Sequence, residues 1–541
     1  MQPRDLPDDV LAMVLRRSLH RNYDKVKDFG CNLPLLSICQ RWRALAIPMV
    51  YDHVYVQYGE RIQCGPGVHR HDDSLNEPKD VTVKTNMGLI AAAGHARVVK
   101  SVAINVHCMA NPLPGLRKVV ETMSMAASMW ERVDMLAIAL HPDISYIGVN
   151  STDVEDYAAD LYEVGDALAA LMPKLRKLDL QGINRNPLAK VLFGRLAGHY
   201  TEQLQAIDSR HPIAVPSNCQ FKCLKSVYIS IDNQCDYRLP SMGTGKLENL
   251  TLCNGPPNHS WFSFNASDDS NIITFPKLED LRISYNAIYK EDGVEVLHRD
   301  GHPWELRFPS LKRASISCTK DICPLLEYMV LPPGMDSLAI DMKSAAYQSI
   351  AELVLPEVKR LALSVSSRSG GDPSGLPAIN RILEAARGSD ELELAINDDK
   401  LPILPESITC TALTRLLVSG PTGVETMLGF IRQLPNLIGL TFYQLELGDM
   451  QSDISVPEAS GHTPIEPYDT KIKGLAINYN REQHSPEQAV AVSKHLLLKI
   501  PMLTRFLAAQ TPKQPVMDFA ETFVQWYPHL DNVVFKLCED V

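Results

Sequence analysis

At 541 residues the chain is longer than one ordinary hydrophobic core can organise, so it is either several domains or one elongated repeat array. A formal net charge of −11 argues against general nucleic-acid binding, which needs a basic face. No apolar run approaches the ~18 residues that span a bilayer, and Asp5, Asp8 and Asp9 stand where a signal peptide would be basic and then apolar. The expected setting is therefore cytoplasmic or nuclear, with no membrane partner and with the twelve cysteines reduced.

The first fifty residues hold eight Lys/Arg against five Asp/Glu, a basic head on an acidic body, which suits an acidic partner. From Asp5 the sequence opens like a helix. Asp5 suits the cap, Pro7 the first turn, and Asp8 and Asp9 the positive end of the dipole, with Leu11, Val14 and Leu15 on one face. A second helix is predicted over 33–46, capped by Asn32, with Leu35, Ile38, Cys39, Trp42 and Leu45 along one side and Leu36 close by. Ile47-Pro48 ends it, because the residue before proline avoids helical geometry. The connecting segment 20–32 is either a surface loop or an extension of the first helix.

Leu6-Pro7-Asp8-Asp9-Val10-Leu11, followed by Leu35-Leu36-Ser37-Ile38-Cys39-Gln40-Arg41-Trp42-Arg43, resembles the F-box. The exit Ala46-Ile47-Pro48-Met49-Val50-Tyr51 is similar to that of many fungal F-boxes. This resemblance implies a helical hairpin that docks on a Skp1-like adaptor and through it on a cullin. It also implies that Leu6, Pro7, Leu11, Val14, Leu15, Leu35, Leu36, Cys39, Trp42 and Arg43 make the adaptor contact. The same residues also suit a helical cap on a repeat array, which protects a terminal apolar face.

Residues 59–98 read as a polar loop and an entry to the array. His69 and His71 lie within it, too few ligands for a zinc site. From Val99 an apolar triplet at i, i+3, i+5 recurs to the end of the chain, from Val99/Val102/Ile104 through Leu278/Leu281/Ile283 to Leu530/Val533/Phe535. One degenerate copy has only Leu392 and Leu394. In the tightest cases first positions lie 23 or 24 residues apart (224 to 247, 311 to 335, 335 to 358, 389 to 413 and 413 to 437), and others stretch to between 27 and 49. The short period is that of leucine-rich repeats, and the pattern resembles the irregular ones that follow F-boxes. Prolines such as Pro173, Pro276, Pro309 and Pro435 are expected at the first position of a strand. Helices are predicted over 114–128, 151–172, 376–387, 424–433, 485–499 and 516–526.

The expected fold is thus an α/β solenoid: an F-box-like helical module over 1–58, then about fifteen irregular repeats over 99–541 forming a horseshoe with a parallel concave sheet. Catalytic patterns fail in context. Gly243-Thr244-Gly245-Lys246 lacks the Ser/Thr that would bind magnesium. The Cys219/Cys223 and Cys318/Cys323 pairs lack the partners of a zinc site, so no cofactor and no metal are expected.

What remains is a surface. Positions two, four and six after each first anchor project from the concave face and include Asp280, Arg282, Arg313, Arg360, Glu391, Glu393, Arg415, Tyr443 and Arg505. Arg313, Arg360 and Arg415 are read as a guanidinium ladder suited to carboxylate or phosphate. Together the two resemblances imply a non-catalytic substrate receptor of a Skp1–cullin–F-box ubiquitin ligase, with an unidentified protein as target. The alternative is a leucine-rich scaffold whose head is only a cap.

Overall fold

The structure is a computed structural model. It describes residues 7–18, 33–59, 83–108, 112–142, 151–182, 187–209, 220–230, 244–253, 272–285, 298–299, 302–303, 305–318, 329–343, 356–366, 386–396, 412–446, 468–479, 492–493, 496, 499–500, 502–509 and 532–536. Two compact units divide the chain, Met1–Asp269 and Ser270–Val541.

The first unit opens with α1 (Asp8–Ser18), a 3-10 turn (Leu33–Ser37) and α2 (Gln40–Val50). The turn replaces the first part of the predicted second helix. Cys39 caps α2: it lies in extended conformation, and its sulfur accepts the amide of Trp42 at 3.4 Å, while Asn32 lies outside the described residues. The helix also runs through Pro48 instead of stopping there. Pro48 lies in the last turn, which the Tyr51 N–H still closes on the Ile47 carbonyl at 3.0 Å.

Then come β1 (His53–Tyr58), β2 (Val83–Thr85), α3 (Met87–Ala92), β3 (Ser101–Cys108), α4 (Leu113–Ala126), β4 (Met135–Pro142), α5 (Ser151–Leu171) and β5 (Lys177–Gly182). The unit closes with α6 (Pro187–His199), β6 (Ala206–Ser209), β7 (Ser226–Ser230) and β8 (Asn249–Cys253). β1, β3, β4, β5, β6, β7 and β8 pair in that order, all parallel, with β2 antiparallel on the outer side of β1. The parallel sheet therefore begins at residue 53, ahead of the first triplet recognised in the sequence. α4 approaches the sheet closely at Gly115, where a Cβ would stand 2.6 Å from the Tyr58 ring and 2.9 Å from Val106.

The second unit contains β9 (Ile272–Thr274), β10 (Asp280–Tyr285), β11 (His298–Arg299), β12 (His302–Pro303), β13 (Glu305–Arg307), β14 (Arg313–Cys318), β15 (Met329–Val330) and β16 (Met335–Lys343). β17 (Val358–Ser366), β18 (Glu391–Ile396), β19 (Arg415–Gly423), α7 (Val424–Gln433), β20 (Gly439–Glu446), β21 (Gly474–Tyr479), β22 (Arg505–Ala509) and β23 (Asn532–Lys536) follow. Ten of these strands, β10, β14 and then β16 to β23, form a wholly parallel sheet in chain order. A small parallel sheet, β9–β13–β15, and a two-strand antiparallel hairpin, β11–β12, stand apart from it.

One device repeats at strand entries. A single carbonyl accepts two consecutive amides of the next repeat. The Lys100 oxygen takes Asp134 and Met135 at 2.9 and 3.2 Å, that of Lys312 takes Asp336 and Ser337 at 2.8 and 3.1 Å, and that of Asp390 takes Thr414 and Arg415 at 2.9 and 3.0 Å. Buried backbone groups need partners, and this bifurcated entry supplies them at the same register each time.

The triplets supply the core: every member whose burial is described is at most 5% exposed. The prolines do a different job from the one expected. They sit in a turn two residues before the anchor, with Leu278 N–H on the Phe275 carbonyl at 3.4 Å, Leu311 on Phe308 at 3.2 Å and Leu437 on Leu434 at 3.1 Å. Proline's fixed φ suits the second position of such a turn, and the residue before it is buried, as Phe275, Phe308 and Leu434 are.

Of the predicted helices, 114–128, 151–172 and 424–433 correspond to α4, α5 and α7. The other three fall largely outside the described residues. α3 and α6 went unread.

Candidate interaction surfaces

Two side-chain hydrogen bonds help to fasten the head. Arg41 Nε donates to Asp8 Oδ1 at 2.7 Å, joining α2 to the start of α1, and Arg43 Nε donates to the Leu36 carbonyl at 2.8 Å. Leu11 and Leu15 are fully buried, as are Ala46 and Val50 on α2. Val14, placed by periodicity on the same face, is instead 40% exposed, alongside Met13 at 50% and Ile38 at 53%. Leu35, Leu36 and Trp42 are half-buried, and Pro7, Cys39 and Arg43 are exposed. Leu6 lies outside the described residues. The sequence reading therefore mixed two populations: leucines that pack the head, and apolar side chains left at its surface. Met13 escaped it because it falls off the i, i+3, i+4 stripe.

The open face of the second unit is set by register. Asp280, Arg313, Ser337, Arg360, Glu391, Arg415, Gly439, Gly474, Arg505 and Asn532 are successive lateral neighbours across ten strands. The next row includes Arg282, Ser315, Ala339, Ala362, Glu393, Leu417, Thr441 and Ala476. Tyr443 falls at a register shift in β20, and the side chains of Tyr443 and Arg505 lie outside what is described.

Arg313, Arg360 and Arg415 are not adjacent. Each is two strands from the next, about 9–10 Å, with Ser337 between the first two and Glu391 between the last two. Two of the three are already engaged. Asp280, 11% exposed, accepts Arg313 Nε at 2.9 Å and Arg282 Nε at 3.2 Å, and Glu391 holds Arg415 at 3.0 Å.

The residue just before each of these positions repeats the same logic. Lys312 pairs with Glu279 at 2.9 Å and Lys359 with Asp336 at 2.8 Å. Strand entries therefore alternate in sign: acidic at 279–280, basic at 312–313, acidic at 336, basic at 359–360, acidic at 390–391 and basic at 415. Opposite charges on neighbouring strands attract and like charges repel, so this alternation favours the observed strand order.

Between these walls lies a depression of about 960 Å³. Its lining includes the small residues Ala339, Ala362, Gly439, Thr441, Gly474 and Ala476 together with Leu417, and Arg313, Arg360, Glu391, Glu393 and Arg415 also border it.

Among the described residues no group of three or more His, Cys, Asp or Glu is placed to hold a metal ion, and no helix is long and apolar enough to cross a membrane. His69 and His71 lie outside the described residues.

The fold defines an α/β protein of solenoid-like arrangement, with mostly parallel sheets built one strand per repeat and a short helical head. No protein-family model matches the chain, and no curated protein matches it.

Proposed function

We propose that this chain is the target-holding subunit of a Skp1–cullin–F-box ubiquitin ligase, its head an F-box docking on a Skp1-like adaptor and its sheets a leucine-rich-repeat horseshoe holding the target. It forms and breaks no bonds itself; it brings the target near the transferring enzyme, so its contribution is proximity. The observation that carries this reading is the apolar surface left on the head. Met13, Val14 and Ile38 remain 40–53% exposed while Leu11 and Leu15 do the packing. A head serving only as a cap would turn its apolar residues inward, whereas these three are left at the surface, where a partner could cover them. The regular sheet face, rich in charged side chains, suits recognition of a partner protein.

A Skp1-like adaptor titrated against the full chain tests this directly. Val14→Asp with Ile38→Asp is expected to abolish binding while the circular dichroism spectrum stays that of wild type. A double variant that still binds as wild type does would overturn the reading.

The second reading, a repeat scaffold with a capping head, is favoured by the complete burial of Leu11 and Leu15. It predicts that no adaptor binds.

A further inference from the structure

Around the depression on the second unit's open face, two features depart from the pattern of the other strands. The alternation of charge stops after β19. The next entries are Ile438-Gly439 and Lys473-Gly474, with Ile438 45% exposed. Gly439 and Gly474 are register partners, and neither is required by its own backbone or packing. A Cβ at Gly474 would meet nothing within 4 Å, one at Gly439 would touch only Arg415 Cγ at 3.7 Å, and neither φ lies in the left-handed region. Both glycines open their strands, and the missing side chains leave room for another backbone to approach closely.

The second departure is a pair of leftover charges. Arg360 makes no hydrogen bond or ion pair among the described residues, and Asp336, the acid that feels it, is held by Lys359 at 2.8 Å. Glu393 likewise makes none. Both are exposed and both line the depression. They are diagonal neighbours, one strand across and two residues along, because Arg360 pairs with Glu391 in register. Such diagonal positions lie about 7–8 Å apart. The other described arginines of this row, Arg313 and Arg415, are matched to carboxylates inside the chain.

The geometry points to an occupant: an extended peptide segment of a partner protein carrying a carboxylate and a cation two residues apart. In extended chain, side chains two apart share a face and stand about 6.6–6.8 Å apart, close to the Arg360–Glu393 separation. The carboxylate meets the Arg360 guanidinium, which offers paired donors, and the cation meets Glu393. Gly439 and Gly474 lie in the register row of Arg360 itself, and their missing side chains leave that side of the depression open to the flanking part of the peptide. From β17 to β21 is four strand steps, about 19 Å, or about six residues of extended chain.

This inference rests on the open face being the target-holding surface. Its test never engages the head, so failure here and failure of adaptor docking are read separately.

The probes are fluorescein-labelled nine-residue Ser/Ala peptides with one central triplet each, measured by anisotropy against the full chain. Glu-Ala-Lys is expected to bind at least about tenfold tighter than Glu-Lys-Ala, which has the same composition but puts the charges on opposite faces, and than Ser-Ala-Ser. Arg360→Glu is expected to move the preference to Lys-Ala-Lys, and Glu393→Lys to Glu-Ala-Glu. Gly474→Leu, which fills open space, is expected to weaken all of them. Equal binding of Glu-Ala-Lys and Glu-Lys-Ala, or an unchanged ranking in Arg360→Glu, would overturn the proposal.

Discussion

At the scale of single residues, Ser389 stands out because it occupies an anchor position held by an apolar residue in nearly every other repeat. It is fully buried, and its hydroxyl has no hydrogen-bond partner among the described residues. A buried, unsatisfied hydroxyl costs about 1–3 kcal/mol, and removing it restores what the site otherwise lacks. Ser389→Ala is therefore expected to stabilise the protein by about 1 kcal/mol, read as a rise in the urea midpoint with an unchanged slope. The same substitution of polar for apolar explains two lapses in reading the repeats. The copy at Leu392/Leu394 looked degenerate because Ser389 heads it. Leu204/Ile207/Ser209, fully or almost fully buried with Ile207 and Ser209 in β6, breaks the apolar pattern because a serine ends it. Burial at these positions comes from the stacking of neighbouring strands, which a single residue's polarity does not reveal.

Between elements, the clearest polar contact joins α5 to α6. Arg195 grips Asp166 through Nε at 2.6 Å and a terminal nitrogen at 2.8 Å, and His199 Nε2 lies 2.6 Å from the same carboxylate. The Arg195 fork holds the Asp166 carboxyl well below the usual carboxylate range, and His199 lowers it further. A carboxyl whose pKa is lower in the folded than in the unfolded chain stabilises the fold at pH values above its unfolded pKa. That contribution is lost as pH falls through the folded value. Asp166→Asn is thus expected to lower stability at neutral pH by under ~1 kcal/mol, since the partners are nearly half exposed. The gap to wild type should close as pH drops below about 4, checked by thermal melts across that range. None of this was read from the sequence. α6 was not predicted, and Asp166 and Arg195 are 29 residues apart along the chain.

At the scale of the whole molecule, the alternating strand entries of the second unit make a prediction about its repeats. Deleting 335–357 removes one repeat and sets β14 beside β17, so that Lys312 and Arg313 face Lys359 and Arg360. Deleting 335–388 removes two and sets the same basic entry beside Asp390 and Glu391 on β18. Salt screens exposed charges. The single deletion should gain stability as salt is raised, and the double deletion should lose it, each followed by urea unfolding at low and high ionic strength. Identical salt responses would show that the alternation has no part in strand order. Repeat arrays suit this comparison because their stability is built from single repeats and nearest-neighbour interfaces.

The sequence alone determined which side chains go inward. The i, i+3, i+5 triplets are buried wherever they are described, and the 23- to 24-residue period gave parallel strands in chain order, because hydrophobic spacing along a chain is a local property. It also marked the head as two helical pieces, though it did not separate Leu11 and Leu15, which pack, from Val14 and Ile38, which stay exposed. Only the tertiary structure decided the rest. Register converted a supposed row of arginines into alternating acids and bases, left Arg360 and Glu393 unmatched, and brought Gly439 beside Gly474 across 35 residues of chain. Lateral neighbours are chosen by how each strand meets the last, and spacing within one strand carries no record of that choice.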